Sequence, residues 1–340
     1  MSTATKLIPL EQALREQQQE PPQPLRRALP VLTFAELAAL DIPERTKLLP
    51  WLPEGALIMI HAPRGLGKTW FALSLATALI TGGPFLKWQV AKPVGVLVVD
   101  GEMDLSILRE RIVALAGDDA KAPLLTLSHQ HVFDIEERDM NFGRDDWQER
   151  LKTFLEGNPE IKAVIFDNKS CLWPTTPEDS RDDYARDVLP LMLWLRRRGI
   201  IAMIVHHSGK SGQQRGTSAN EDQVTTTVRL DPVPGEGDND GARFTVTFTK
   251  SRVAFGEAVT PIEVALISGP DGVMTWNWNP LAESNEDRLL QIVRATPGLS
   301  IADVAEELGM SKGGVHRIKR ALQGKGLLKP GSKLEAADDV

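Results

Sequence analysis

The sequence predicts an α/β core built on a mostly parallel twisted sheet, followed by a small helical domain. Three observations lead to this. Short apolar runs alternate with helical segments from Trp51 to Val205, the signature of parallel strands joined by crossover helices. The texture then turns all-β as far as Asn279. Beyond Asn279-Pro280 it is helical again, which puts a domain boundary near Ala282.

Residues 1 to about 30 are rich in Gln, Glu and Pro, with Gln17-Gln18-Gln19-Glu20-Pro21-Pro22-Gln23-Pro24 at their centre. That composition buries no core and predicts a flexible arm. The core domain is expected over residues 31–282. Its strands are expected at Ala56–His61, Gly95–Val99, Ala163–Phe166 and Ile200–Val205, and its helices at Lys68–Ile80, Leu105–Ala116 and, as one long element, Asp183–Arg198. Val224–Leu230, Phe244–Thr249, Ile262–Ile267 and Val273–Asn277 read as further strands, with Pro232–Gly241 as a Gly/Asp-rich hairpin loop.

Composition sets bounds on function. The 340 residues are 42% hydrophobic and 25% charged, as expected of a globular protein, and the net charge of -7 argues against a generally basic DNA coat. The lone Cys171 excludes a disulfide within the chain and makes a reducing cytoplasm the expected compartment. The first residues lack the apolar stretch of a signal peptide, and the most apolar runs, Ala56–Ile60 and Ile200–Val205, are too short to cross a bilayer, so no membrane role is expected.

The clearest motif is Ala62-Pro63-Arg64-Gly65-Leu66-Gly67-Lys68-Thr69, which follows the first strand, opens the first helix and leads into Trp70. This is a P-loop in the context it requires. Glycines let the backbone curl so that its N–H groups face a phosphate, and the helix N-terminus adds partial positive charge. ATP and Mg2+ are therefore the expected ligands, with Lys68 on the phosphates and Thr69 on the metal. Ala62 stands where the pattern usually has glycine. Asp167, ending the apolar run Ala163-Val164-Ile165-Phe166, supplies the second metal anchor. Asn168 follows it, so a catalytic carboxylate must come from elsewhere; Glu102, just past the second strand, is the candidate, with Asp100 a rival better suited to a turn.

The fourth strand ends in His206-His207. Neighbouring side chains on a strand point to opposite faces, so at most one meets the nucleotide, and His206 is the residue expected there as a polar sensor. No Cys, His or acid set has the spacing of a separate metal site. Lys250 and Arg252, at i and i+2 of a strand end, share one face.

These pieces together resemble the RecA-fold hexameric ATPases, closest to the RepA-type replicative helicases of plasmids, with DnaB-type helicases and RecA as relatives. The resemblance runs from about Leu49 to Asn279 and rests on the P-loop, Glu102, Asp167, His206-His207-Ser208, Arg215-Gly216-Thr217-Ser218 and Lys250-x-Arg252. It implies a RecA-like P-loop NTPase core, Glu102 as the catalytic carboxylate and His206 as the sensor. It also implies that Lys250 and Arg252 reach a neighbouring subunit's site, in a homo-oligomer expected to be a hexamer. The loops after the third and fourth strands, about Lys169–Arg181 and Ser208–Asn220, would line a central channel for single-stranded DNA. Lys210 and Arg215 would meet phosphates there, and Trp173 either stacks on a base or packs in its own domain.

Residues 283–334 read as a winged helix-turn-helix, with 335–340 as a tail. Ser284 caps Glu286–Ala295, Ser300 caps Ile301–Leu308, Gly309-Met310 turns, and Ser311 caps a third helix running to about Gln323. Val315, Ile318 and Leu322 point inward, leaving Lys312, His316, Arg317, Lys319 and Arg320 towards solvent, with Gly326–Gly331 as the wing. Residues 284–334 carry nine Lys/Arg against five acids, all of the acids before Lys312. A basic recognition helix in an acidic chain is the footprint of DNA contact, here through Lys312, His316, Arg317 and Arg320, to a duplex site or as a bridge to a replication protein. The expected function is an ATP-dependent DNA motor, a ring-forming replicative helicase of a plasmid, phage or mobile element. The alternatives are an ATP-switched DNA-binding regulator and a DNA-dependent ATPase that loads or remodels partners without unwinding.

Overall fold

The computed structural model describes residues 29–117, 119–176, 181–207, 223–233, 242–269, 272–281, 285–331 and 334–335. The chain divides into two units, Met1–Glu44 and Arg45–Val340. In the first, Thr33 and Glu36 form a reciprocal capping box on the short helix Phe34–Ala39, none of whose residues is buried.

The second unit is organised by its sheets. Its strands are β1 (Lys47–Leu49), β2 (Leu52–Pro53), β3 (Leu57–Ala62), β4 (Pro84–Phe85), β5 (Trp88–Gln89), β6 (Gly95–Asp100), β7 (Leu124–Ser128), β8 (Ile161–Asp167), β9 (Ile201–His207), β10 (Thr226–Pro232), β11 (Arg243–Ser251), β12 (Ile262–Ser268) and β13 (Met274–Pro280). Nine of them form one sheet in the order β13-β12-β11-β10-β3-β9-β8-β6-β7. The six from β10 to β7 run parallel, and β11, β12 and β13 extend one edge as an antiparallel ribbon. The P-loop strand β3 is separated from the Asp167 strand β8 by β9, and this RecA-like, mostly parallel arrangement is the fold the sequence predicts.

Strand parity sorts the core into two layers. Ile58, Ile60, Val96, Val98, Ala163, Ile165, Met203 and Val205 face one side, with the helix Lys68–Thr81. Leu57, Met59, Leu97, Val99, Val164, Phe166, Ala202 and Ile204 face the other, with the helices Asp145–Gly157 and Leu189–Arg197. The Lys68–Thr81 helix is apolar almost all round and buried along nearly its whole length, so it needs no polar stripe. Gly82 closes it in the left-handed conformation, its N–H donating to Ala78 O.

The sequence pattern misses β7 and the helices His129–Glu136 and Asp145–Gly157, which lie in a stretch of weak periodicity. The single helix expected over Asp183–Arg198 is two, Arg181–Asp187 and Leu189–Arg197, because Pro190 has no N–H to continue the ladder. The loop expected over Pro232–Gly241 lies outside the described residues except for its first two.

The C-terminal domain has its own core. Leu289, Val293, Val304, Leu308, Val315, Leu322, Leu328 and Leu334 pack together beneath the helices Asn285–Ala295, Ile301–Leu308 and Lys312–Gly324. Ser300 caps the second helix in a box with Asp303, Gly309 ends it at positive φ, and Ser311 caps the third. Leu299 and Leu334 bridge antiparallel beneath the wing.

Candidate functional site

The P-loop is the turn between β3 and its helix. Gly65 and Gly67 stand at φ 78° and 102°, and a Cβ on Gly67 would come within 2.4 Å of the Ala242 Cβ. Both conformation and space therefore demand glycine there. The loop opens into a cleft lined by Gly65, Gly67, Lys68, Thr69 and Trp70 with Asp100, Glu102, Arg111, Asp167, Asn168 and His207. Except for Trp70 and Arg111, these side chains sit at the C-terminal ends of β3, β6, β8 and β9 or immediately after them, where parallel strands deliver ligand-binding groups.

Charge is concentrated here. Lys68 Nζ donates to Pro63 O at 2.7 Å and to Ala62 O at 3.2 Å, so its ammonium rests on the carbonyls of its own loop. Burial lowers its pKa, and the nearby Asp167 and Glu102 oppose that. Burial likewise raises the Asp167 carboxyl, against a hydrogen bond from Thr69. Oδ2 of Asp167 has no hydrogen-bond partner among the described residues. A buried carboxylate oxygen without a donor, tied to a Thr hydroxyl beside a phosphate loop, suits a hard divalent cation, so the residues fit Mg2+ and a nucleotide. Asp100 lies beside Asp167 in the β6–β8 pairing; burial pushes its carboxyl up to about 7, against the N–H of Met103 donating to Oδ2 at 3.0 Å. That contact is the turn role expected of it.

Glu102 lies in the same cleft. Its Oε2 accepts from Asn168 Nδ2 and stands 3.8 Å from His207 Nε2. Arg111, which sequence reading missed, reaches in from the helix Leu105–Ala116, its guanidinium 4.8 Å above the Trp70 ring. One helical turn separates it from Ile107, which also lines the cleft, but nothing in the sequence marks a helical arginine as facing a phosphate loop.

Two placements correct the expectations. His206 faces away from the cleft and His207 faces into it. Parity decides this: residue 207 shares a face with Met203 and Val205 on the P-loop helix side, whereas His206 is 5% exposed on the other side, its ring 5.3 Å from His61. Burial and the neighbouring His61 lower the His206 pKa to about 3, so its imidazole is neutral. Trp173 is fully buried, packed on Phe142 and Phe166 with Nε1 donating to Asp187 O at 3.3 Å, and so does not present its ring for base stacking.

Lys250 and Arg252 are far from the cleft. Because β11 runs against β10, Ser251 pairs with Thr226, which pairs in turn with Ile58, and the Arg252 N–H donates to Thr225 O. That is the N-terminal end of β3, about 16 Å along the strand from Ala62. Lys210 and Arg215 lie outside the described residues. In the C-terminal domain Lys312, His316, Arg317 and Arg320 are exposed along the third helix. Lys319, expected towards solvent, is instead 7% exposed, with Nζ donating to Gly331 O at 2.7 Å; it ties helix to wing.

The chain belongs to the AAA domain family, which matches residues 20–213, more than half of its length. Residues 286–329 match a family of winged helix-turn-helix DNA-binding domains. The protein thus joins an AAA-type, RecA-like ATPase core to a winged helix of a DNA-binding family. No curated protein matches it. Similar solved structures include the flagellar accessory protein FlaH from Methanocaldococcus jannaschii, at 13% identity and TM-score 0.43, covering 66% of this chain and 90% of that one. Another is a KaiC-like protein from Pyrococcus horikoshii OT3, at 16% identity and TM-score 0.45, covering 69% of this chain and 100% of that one. Among the described residues no helix is long and apolar enough to cross a membrane.

Proposed function

We propose that this protein is an ATP-dependent motor on DNA that works as a ring, in the manner of a replicative helicase of a plasmid, phage or mobile element. The observation that carries the reading is the division of charge between the two ends of the sheet. The cleft gathers Lys68, Thr69, Glu102 and Asp167, while Lys250 and Arg252 stand about 10 and 16 Å away along β3 and two strands across from it, away from their own chain's phosphate loop. Any part they play in hydrolysis is played in a second copy's site, which makes turnover depend on assembly.

Within the cleft, Lys68 and the P-loop N–H groups bind the phosphates, and Thr69 with Asp167 holds the metal. Mg2+ and ATP, when bound, supply the phosphoryl group and neutralise the charge that develops on it. Glu102 takes the proton of the attacking water at a carboxylate oxygen, and His207, in place of His206, is the side chain that senses the phosphate. The winged helix brings the motor to a duplex site or a replication protein, and the residues after β8 and β9 meet single-stranded DNA.

The test is ATP hydrolysis with and without single-stranded DNA, for the wild type and Arg252→Ala. Stimulation by DNA, lost in Arg252→Ala and restored by mixing it with Glu102→Gln, is the expected result. DNA-independent turnover untouched by Arg252→Ala would sink the motor. That outcome favours a second reading, suggested by the exposed basic face of the third C-terminal helix: a DNA-binding regulator whose assembly is switched by ATP.

A further inference from the structure

Asn168 is almost fully buried, yet all the polar atoms of its side chain are engaged. Its Oδ1 accepts the backbone N–H of Cys171 at 3.1 Å and the Ser170 hydroxyl at 2.7 Å, capping the short helix Lys169–Leu172. A backbone N–H can only donate, so the amide is fixed with Oδ1 towards that helix and Nδ2 towards the cleft. There Nδ2 has two hydrogens and two acceptors: Glu102 Oε2 and, at 3.1 Å, His207 Nε2. That bond leaves the His207 proton on Nδ1, a tautomer assigned from the network. Among the described residues, no other donor is within hydrogen-bond distance of the Glu102 carboxylate.

We propose that Asn168 is the positioning residue for Glu102: its amide, locked by the helix cap behind it, holds the carboxylate and ties it to His207 at the end of β9. The proposal rests on reading Glu102 as the base. Its physical content is a lever. Glu102 stands just after β6 on a solvent-facing side chain, 63% exposed, and by itself would sample several rotamers. One hydrogen of Asn168 selects among them, and the other couples that choice to His207. A shift of His207 that withdraws Nε2 from the amide therefore loosens the pair of bonds that holds Glu102, with no movement of β6. Lys68, Asp100 and Asp167 also surround Glu102, but they act on it through charge at a distance and do not fix its rotamer.

Capping and positioning are separable, because Asp caps a helix as well as Asn does while offering a carboxylate oxygen, instead of N–H groups, to Glu102. The experiment measures kcat, the Kd for ATP and Tm of the full chain as wild type, Asn168→Asp, Glu102→Gln and the double variant. We expect Asn168→Asp to fold with a lowered Tm, because it buries a further carboxylate, and to hold the Kd within about twofold while kcat falls roughly 10- to 100-fold. In the Glu102→Gln background the same change is expected to move the residual rate by less than about twofold, since a residue that acts only through Glu102 has nothing left to position.

An Asn168→Asp enzyme with normal kcat, beside an inactive Glu102→Gln, overturns the proposal and leaves the base reading intact. So does an equal loss in both backgrounds, which assigns Asn168 a structural role. Normal turnover of Glu102→Gln removes the base reading and the proposal with it. If Asn168→Asp does not fold, Asn168→Ser, which keeps a capping oxygen but is too short to reach Glu102, carries the same comparison.

Discussion

The two ends of the central sheet hold different mixtures of charge. At the C-terminal ends of the parallel strands, Asp100, Glu102 and Asp167 crowd around Lys68 and Thr69. At the other end Arg45 and Arg252 approach Arg196, whose pKa burial lowers first and these two cations lower further. The acid end has the carboxylates to which the proposed function gives water activation and metal binding, and the basic end has the cations it gives to the developing phosphoryl charge. The antiparallel course of β11 keeps them apart within one chain. On the proposed reading, each end of the sheet supplies half of a catalytic site, and their union is left to a second copy.

The largest expected effects test each half alone. Lys68→Ala should remove ATP binding and turnover together, whereas Arg252→Ala should leave the Kd for ATP near the wild-type value and lower kcat about 1000-fold, the scale of a finger in trans. Equal loss of binding in both variants, by fluorescent-nucleotide titration, would erase the distinction between the ends. A finer contrast sits on β9. His207→Ala should cut turnover about 100-fold, while His206→Leu, on the far face, should leave it within about twofold and hold or raise Tm, since it replaces a buried ring whose nitrogens have no hydrogen-bond partner among the described residues. Reversal of that order in an ATPase assay would restore His206 as the sensor.

Smaller again is the effect expected in the C-terminal domain. Arg317→Ala should weaken duplex binding by about 1–3 kcal/mol and flatten its salt dependence, with DNA-free ATP turnover unchanged. Fluorescence anisotropy across a salt series checks this. The smallest is a pH effect at the acid end. Asp100 has a folded pKa of about 7, above its unfolded value of 3.8, so the folded state holds the proton more tightly. Stability then falls as pH rises from about 4 to 7, and Asp100→Asn removes that slope. Thermal melts should show Asp100→Asn gaining more over the wild type at pH 8 than at pH 4; an equal difference at both would show that Asp100 is not strained by burial.

Most of the acid end was legible in advance. Gly65, Gly67, Lys68, Thr69, Asp167 and Glu102 occur at strand ends in one order, and local spacing alone brings a strand end and a helix start together. The faults were of two kinds. The choice of His206 over His207 turned on which face of β9 meets the P-loop helix, and a one-residue change reverses every such assignment. Arg111 and the bridging amide of Asn168 carry no motif: one lies on an ordinary amphipathic helix, and the other reads as any cap after an acidic strand end. In the C-terminal domain the caps Ser300 and Ser311 and the inward Val315 and Leu322 were visible from helical period, but Lys319 was not, because only the returning wing gives its ammonium a carbonyl.

By itself the sequence determined what depends on neighbours in the chain: the strand–loop–helix of the P-loop, the apolar helix behind it, the acidic strand ends and the capped helices of the winged domain. Tertiary structure alone decided what depends on the order of strands. Placing β9 between β3 and β8 brought His207, Asn168 and Glu102 within hydrogen-bond reach, and reversing β11 carried Arg252 to the opposite end. The reason is physical. Periodicity and turn chemistry act over a few residues, whereas pairing of strands distant in sequence is settled by the burial of both sheet faces at once.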